Sequence, residues 1–228
     1  IEQAHWTDGT LFDLARIGAR CRQVGAVFAV DATQTAGAMP IDVDALGIDA
    51  LVVHCYKSML ASYGLGFVVL SERFADGEPL DEGWLVRAGS DDFAGLVDYQ
   101  DAYAAGMRRY DTSLRSNGML IDMLDAACEL LLQWRPERIR AYLLDIEAGF
   151  AERLAASGYE IAAPADRAAN LFGVRLPSGM APGEVREALA ARRIRVSVRG
   201  SAVRVAPHVF NDEADLDRLA AALESLAA

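Results

Sequence analysis

The sequence predicts an α/β fold: a layer built on a mostly parallel sheet with helices, followed by a small α+β unit. Three observations carry this. Short continuous apolar runs at 26–30, 50–53 and 66–70 have the look of strands buried on both faces. They alternate with stretches of helical periodicity, joined by tight loops, as α/β layers do. Beyond Pro136 the order changes to helix, strand, helix, hairpin and helix. The division is therefore placed between residues 1–135 and 136–228.

The elements follow in order. Leu14, Ile17, Cys21 and Val24 step by three and four, and Gly25 supplies the stop of a helix over 10–25. The run 26–30 is a strand ending at Asp31, 40–47 a short helix, and 50–53 and 66–70 two further strands. From 71 to 116 periodicity gives way to Gly, Asp and aromatic residues, and a long irregular loop is expected. Leu120, Leu124, Ala127, Leu131 and Trp134 mark a helix that Pro136 ends. Ile139, Leu143, Ile146, Phe150 and Leu154 mark another that runs to Gly158. A strand over 170–176 precedes a helix over 182–193 with Pro182 near its first position. Residues 194–198 and 202–206 flank Gly200-Ser201 as a hairpin. Asp212 opens a last helix, with Leu216, Leu219, Leu223 and Leu226 on one face.

Composition narrows the function classes. The 228 residues are 53% hydrophobic, with 22 basic against 33 acidic side chains and a net charge of −11. That balance, without a basic cluster, argues against nucleic acid and anionic membranes as partners. No apolar run reaches the ~18 residues of a membrane span. Cys21, Cys55 and Cys128 fit no zinc spacing, and reduced thiols in a cytoplasm are the expectation. The chain opens Ile1-Glu2-Gln3, without initiator Met or signal peptide, and reads as the continuation of something longer.

Two strand ends carry chemistry. Asp31 stands where the first strand stops and Lys57 just past the second, and open α/β sheets bind ligands at the carboxyl ends of their strands. A lysine held away from water there can become a nucleophile, and a buried Asp suits a cationic partner such as a pyridinium nitrogen. Taken singly, either could equally be a loop cap or a solvated charge.

Together with their neighbours they say more. Asp31-Ala32-Thr33-Gln34-Thr35-Ala36-Gly37, Tyr56-Lys57 and Tyr63-Gly64-Leu65-Gly66-Phe67 resemble the core of the class V aminotransferases. These are fold-type I pyridoxal-phosphate enzymes and include cysteine desulfurases, kynureninase and isopenicillin N epimerase-like proteins. Arg109-Tyr110-Asp111 and Arg115-Ser116-Asn117 extend the likeness, which runs from about Thr7 to the C-terminus. The resemblance implies the C-terminal part of a fold-type I large domain and a small α+β domain. It implies pyridoxal 5'-phosphate as cofactor, an amino acid as substrate and a homodimer. Lys57 would form the Schiff base and move protons at the substrate Cα. Asp31 would pair with the pyridine N–H, Gln34 would bond the phenolic oxygen, and Thr33 would lie against the ring. His54 and Tyr56 would hold the phosphate, and Arg204 would clamp the substrate carboxylate.

The sequence departs from the family pattern at three places. His54 stands where many members have Ser, and Leu114 where desulfurases have a phosphate-binding Thr. No Cys lies between Asn170 and Arg204, where desulfurases carry their nucleophile. Cys55, by strand alternation, should point away from Tyr56. The expected activity is therefore lyase-type elimination, ahead of transamination or epimerisation. The alternative is a catalytically incomplete fragment or relic used for association. Residues 76–106 are expected to line or cover the substrate pocket. The phosphate cradle is expected in a front half, in the same polypeptide or a partner chain.

Overall fold

The structure is a computed structural model describing residues 1–112 and 117–227. Helix α1 (Leu14–Val24) begins where Asp13 accepts the Arg16 N–H at 3.0 Å and ends at Gly25, φ 69°. It starts later than residue 10 because Thr10 and Leu11 are bridged to Arg167 and Ala4. Strands β1 (Ala29–Asp31), β2 (Ala50–His54) and β3 (Gly66–Leu70) form a three-stranded sheet in that order. β1 is shorter than the apolar run, since the Phe28 N–H is taken by the Asp49 carboxylate at 2.8 Å.

β1 and β2 are parallel, joined across α2 (Val43–Leu46) with its Asp42 and Gly47 caps. β3 is antiparallel to β2, which departs from the mostly parallel sheet expected. The connection over 55–65 holds no helix, and a link that short turns the chain back instead of crossing over.

Burial on both faces is also not what the structure shows. Leu14, Phe28, Val30, Leu51 and Val53 pack under one face of the sheet. Val52 and Val68 are 41% and 45% exposed, and no described residue covers them. The accessible surface is 13016 Å², against roughly 10,000 Å² for a compact chain of this mass. An open apolar face of this kind drives association. The 228-residue chain should therefore self-associate as concentration rises. Light scattering that shows a monomer throughout would contradict this.

The second sheet is antiparallel, in the order β4 (Glu160–Ile161), β5 (Phe172–Arg175), β7 (Ala202–Val205) and β6 (Ser197–Arg199). β4 was not marked by any pattern in the sequence. Around this sheet run α3 (Gly118–Trp134), α4 (Pro136–Ile146), α5 (Phe150–Ala155), α6 (Pro182–Ala191) and α7 (Glu213–Ala227). Leu143, Leu154, Phe172, Leu189, Val203 and Leu223 form the centre of its core.

The single helix expected over 139–158 is two, α4 and α5. Gly149 takes φ 77°, and Glu147 turns inward to meet Arg167 at 2.5 Å, both side chains almost wholly buried. The Arg167 guanidinium lies 4.3 Å from the Phe172 ring centre. Glu147→Ala would strand that charge, and a loss of about 3–5 kcal/mol in unfolding free energy is expected. Denaturant titration would measure it.

The stretch from Ser71 to Thr112 is irregular, as expected, with four short 3₁₀ turns. Tyr110 donates to the Phe74 carbonyl at 2.6 Å, and Arg108 pairs with Asp91 at 2.7 Å. Leu114, Arg115 and Ser116 lie outside the described residues.

Candidate active site

Because β1 and β2 are parallel, with Asp31 beside Val52, their carboxyl ends open on one edge of the sheet. Asp31 is exposed there, not buried. Its Oδ1 accepts the Thr33 N–H at 2.8 Å, an Asx turn that fixes the carboxylate. Thr33 is buried, and its Oγ1 accepts the His54 N–H at 3.0 Å. The hydroxyl thus pins the two strand ends together.

Beyond β2 the chain turns. Cys55 is fully buried and its thiol is pushed up by that burial, while Tyr56 is half-buried. The Tyr56 ring stacks on Tyr63 at 4.2 Å and 15°, with the His54 ring 6.0 Å away. Lys57 is half-buried, its Nζ 5.5 Å from the Tyr56 ring centre. Burial holds its amine below the ordinary lysine range. Arg204 pushes the same way, while Asp31 and Glu2 oppose. Lys57 thus feels the charges of Arg204 and Asp31, each brought from another segment of the chain.

Arg204 is carried there by β7. Its Nη1 donates to the Trp6 carbonyl at 3.0 Å, while its Nε is buried without a partner. Asn170 joins the two halves: its Nδ2 donates to the Gln34 carbonyl at 2.7 Å and to Ser58 Oγ at 3.0 Å. Between them lies a cavity of about 210 Å³ lined by Gln34, Lys57, Ser58, Asn170, Arg204 and His208, among others.

Of the residues singled out by sequence, Gln34, Lys57 and Arg204 meet at this cavity. Asp31, Thr33, His54 and Tyr56 stand beside it at the strand ends and are not among its walls. Residues 76–106 give it no wall, contrary to expectation. They fold on themselves, with Arg87 donating to the Asp101 carbonyl at 2.6 Å and to Glu82 at 2.8 Å. There they enclose a separate hollow of about 440 Å³ beside Trp84 and Tyr99.

Ser58, Asn170 and His208 were missed, since a polar residue flanking an apolar strand has no distinguishing pattern. One signal for Lys57 was available in composition: it is the only lysine, the other 21 basic residues being arginines. Among the described residues no group of His, Cys, Asp and Glu is arranged to hold a metal. Among the described residues no helix is long and apolar enough to cross a membrane.

Comparison with known proteins gives the family and the fold. The family model described as aminotransferase class-V matches residues 1–219. An "uncharacterized aminotransferase YcbU" of Bacillus subtilis is 26% identical over 227 residues, covering 95% of this chain and 56% of its own. A probable cysteine desulfurase of Methanothermobacter thermautotrophicus is 36% identical over 100 residues, covering 43% of this chain and 25% of its own. The apo structure of a cysteine desulfurase from Thermococcus onnurineus superposes with a TM-score of 0.84 at 21% identity. That alignment covers 99% of this chain and 58% of the other. The chain thus spans little more than half the length of the full relatives it matches.

Proposed function

The chain belongs to the aminotransferase class-V family, and from that premise we propose that it performs pyridoxal-phosphate chemistry on an amino acid, with Lys57 and Arg204 as its working pair. One observation carries the reading. A depressed lysine amine and a guanidinium with an unpartnered Nε, brought from distant parts of the sequence, line one cavity.

The residues present fit the cofactor. Lys57 supplies the amine for its aldehyde, Asp31 a carboxylate at the sheet edge, and Gln34 an amide at the cavity. When bound, pyridoxal phosphate supplies an electron sink for negative charge at the amino acid's Cα. Lys57 would hold it covalently and then move the proton at Cα. Asp31 would keep the ring nitrogen protonated, and Gln34 would bond the phenolic oxygen. Thr33 would lie near the ring, with His54 and Tyr56 on the phosphate side. Arg204 would orient the amino acid by its carboxylate.

Elimination is placed ahead of transamination and epimerisation. A sulfur-accepting thiolate is missing from the segment between Asn170 and Arg204, while elimination needs only the amine and the clamp. The whole protein is read as a homodimer. The test is a screen of amino acids against the protein loaded with cofactor, scored by absorption change. No change with any amino acid would refute the reading.

A second reading, association without catalysis, draws on the open face at Val52 and Val68. Colour separates the two. A yellow protein bleached by borohydride supports the enzyme, and a colourless one supports the relic.

Arg204→Lys should raise KM for amino acids about 10- to 100-fold with cofactor content intact, as a point charge replaces a bidentate fork. Loss of cofactor at unchanged KM would move Arg204 to the cofactor's side. The pH dependence follows from the sign at Lys57. A lowered pKa means the free amine appears at lower pH than in an ordinary lysine. Cofactor loading should thus reach its plateau early, and Arg204→Ala, removing a repelling charge, should move the midpoint up. A midpoint unmoved by that change would show that the two charges do not interact.

A further inference from the structure

The second sheet sets another arginine beside Arg204. In the β6–β7 ladder Arg199 faces Ala202 and Ser197 faces Arg204. Side chains two residues apart share a face, so Arg199 and Arg204 lie on the same side, on a diagonal of roughly 7–8 Å. The opposite side, with Val203 and Val205, is core. The arginine side is roofed by the N-terminal loop. Gly173, beside Arg204 on β5, has no room for a side chain: a Cβ there would sit 2.9 Å from that of Asp8. The Trp6 ring centre lies 5.5 Å from the Arg199 guanidinium, and the Trp6 carbonyl takes Arg204.

The chain has acidic side chains in excess, and several of its arginines use them: Arg87 sits on Glu82, Arg153 on Glu224, Arg167 on Glu147. Here, among the described residues, the hydrogen bonds go to backbone carbonyls, Val198 for Arg199 at 2.8 Å and Trp6 for Arg204. The Nε of each is buried and has no partner. Burial, with Arg199 next, holds the Arg204 guanidinium below its usual range. Buried donors left unpaired, on two cations that repel, are costly unless an anion from outside takes them. A single α-carboxylate satisfies one fork.

We propose that the site is built for an α-amino acid with a second acid in its side chain: Arg204 takes the α-carboxylate and Arg199 the side-chain acid. This rests on the reading of Lys57 and Arg204 as the amino-acid site, and it narrows the substrate to the dicarboxylic class.

The experiment uses the whole protein. Succinate and glutarate are compared with propionate and butyrate by calorimetric binding, without cofactor. Aspartate and glutamate are compared with alanine by absorption change in the loaded protein. Diacids should bind about 10- to 100-fold tighter, the usual worth of a charged hydrogen bond. Arg199→Gln should bring that ratio close to unity, and Arg199→Lys should restore part of it. Equal binding of monoacids and diacids would overturn the inference. So would an Arg199→Gln change that weakens both classes alike, which would mean that both arginines grip one carboxylate. Should the variant not fold, the native ratio decides alone. If alanine perturbs the absorption and diacids have no advantage, only this inference fails. If no amino acid perturbs it, the parent reading fails with it.

Discussion

Lys57→Ala is expected to abolish covalent retention of pyridoxal phosphate and to cut turnover by several powers of ten. The lost amine has two tasks, attachment and proton movement at Cα. General acid–base catalysis alone contributes about 10²–10⁴-fold. The chain makes this test unusually clean, because Lys57 is its only lysine. Borohydride reduction of the native protein should add one cofactor mass at a single side chain, and the variant should take up none. The amine's setting favours attachment: burial and the Arg204 charge both disfavour the ammonium form. Cofactor trapped by borohydride in Lys57→Ala would place the attachment elsewhere and end the assignment.

What the sequence made legible is what local pattern encodes. The apolar run before His54 is β2, the run at 66–70 is β3, and the Gly200 turn joins β6 to β7. Gly25 and Gly47 stop their helices in the left-handed conformation that glycine adopts easily. What was not legible depends on partners far away in the chain. The break between α4 and α5 follows from Glu147 turning to Arg167, and helical periodicity does not register a buried ion pair. The cavity depends on Asn170 bridging Gln34 and Ser58, two contacts more than a hundred residues distant. Likewise a run of valines looks the same whether one face of its sheet is covered or both. Val52 and Val53 are neighbours in one strand, yet Val53 is 1% exposed and Val52 41%. The pairing of Arg199 with Arg204 is of the same kind, since it is a matter of ladder register.

Asp31→Asn is the second large effect expected: turnover should fall by several powers of ten while the fold stays intact. The fold should survive because the amide oxygen can still accept the Thr33 N–H that Oδ1 now accepts at 2.8 Å. The carboxylate is exposed at the end of β1, so no buried ion pair is broken by the change. What disappears is the negative charge that would hold a proton on the cofactor's ring nitrogen. Each pKa unit of that proton's affinity is about 1.4 kcal/mol, and each such step in barrier height is a factor of ten in rate. A shift of several units therefore becomes a loss of several decades. A second consequence has its own sign. Asp31 now raises the Lys57 pKa against burial, so removing it should lower the amine's pKa further and shift cofactor loading to lower pH. A static role for Asp31 in the turn would predict neither change. Thermal melting by circular dichroism, steady-state turnover and the pH midpoint of loading, measured on the same variant, separate the two roles. Native-like turnover, or a loading midpoint that stays in place, would show that Asp31 does not act on the ring or on Lys57.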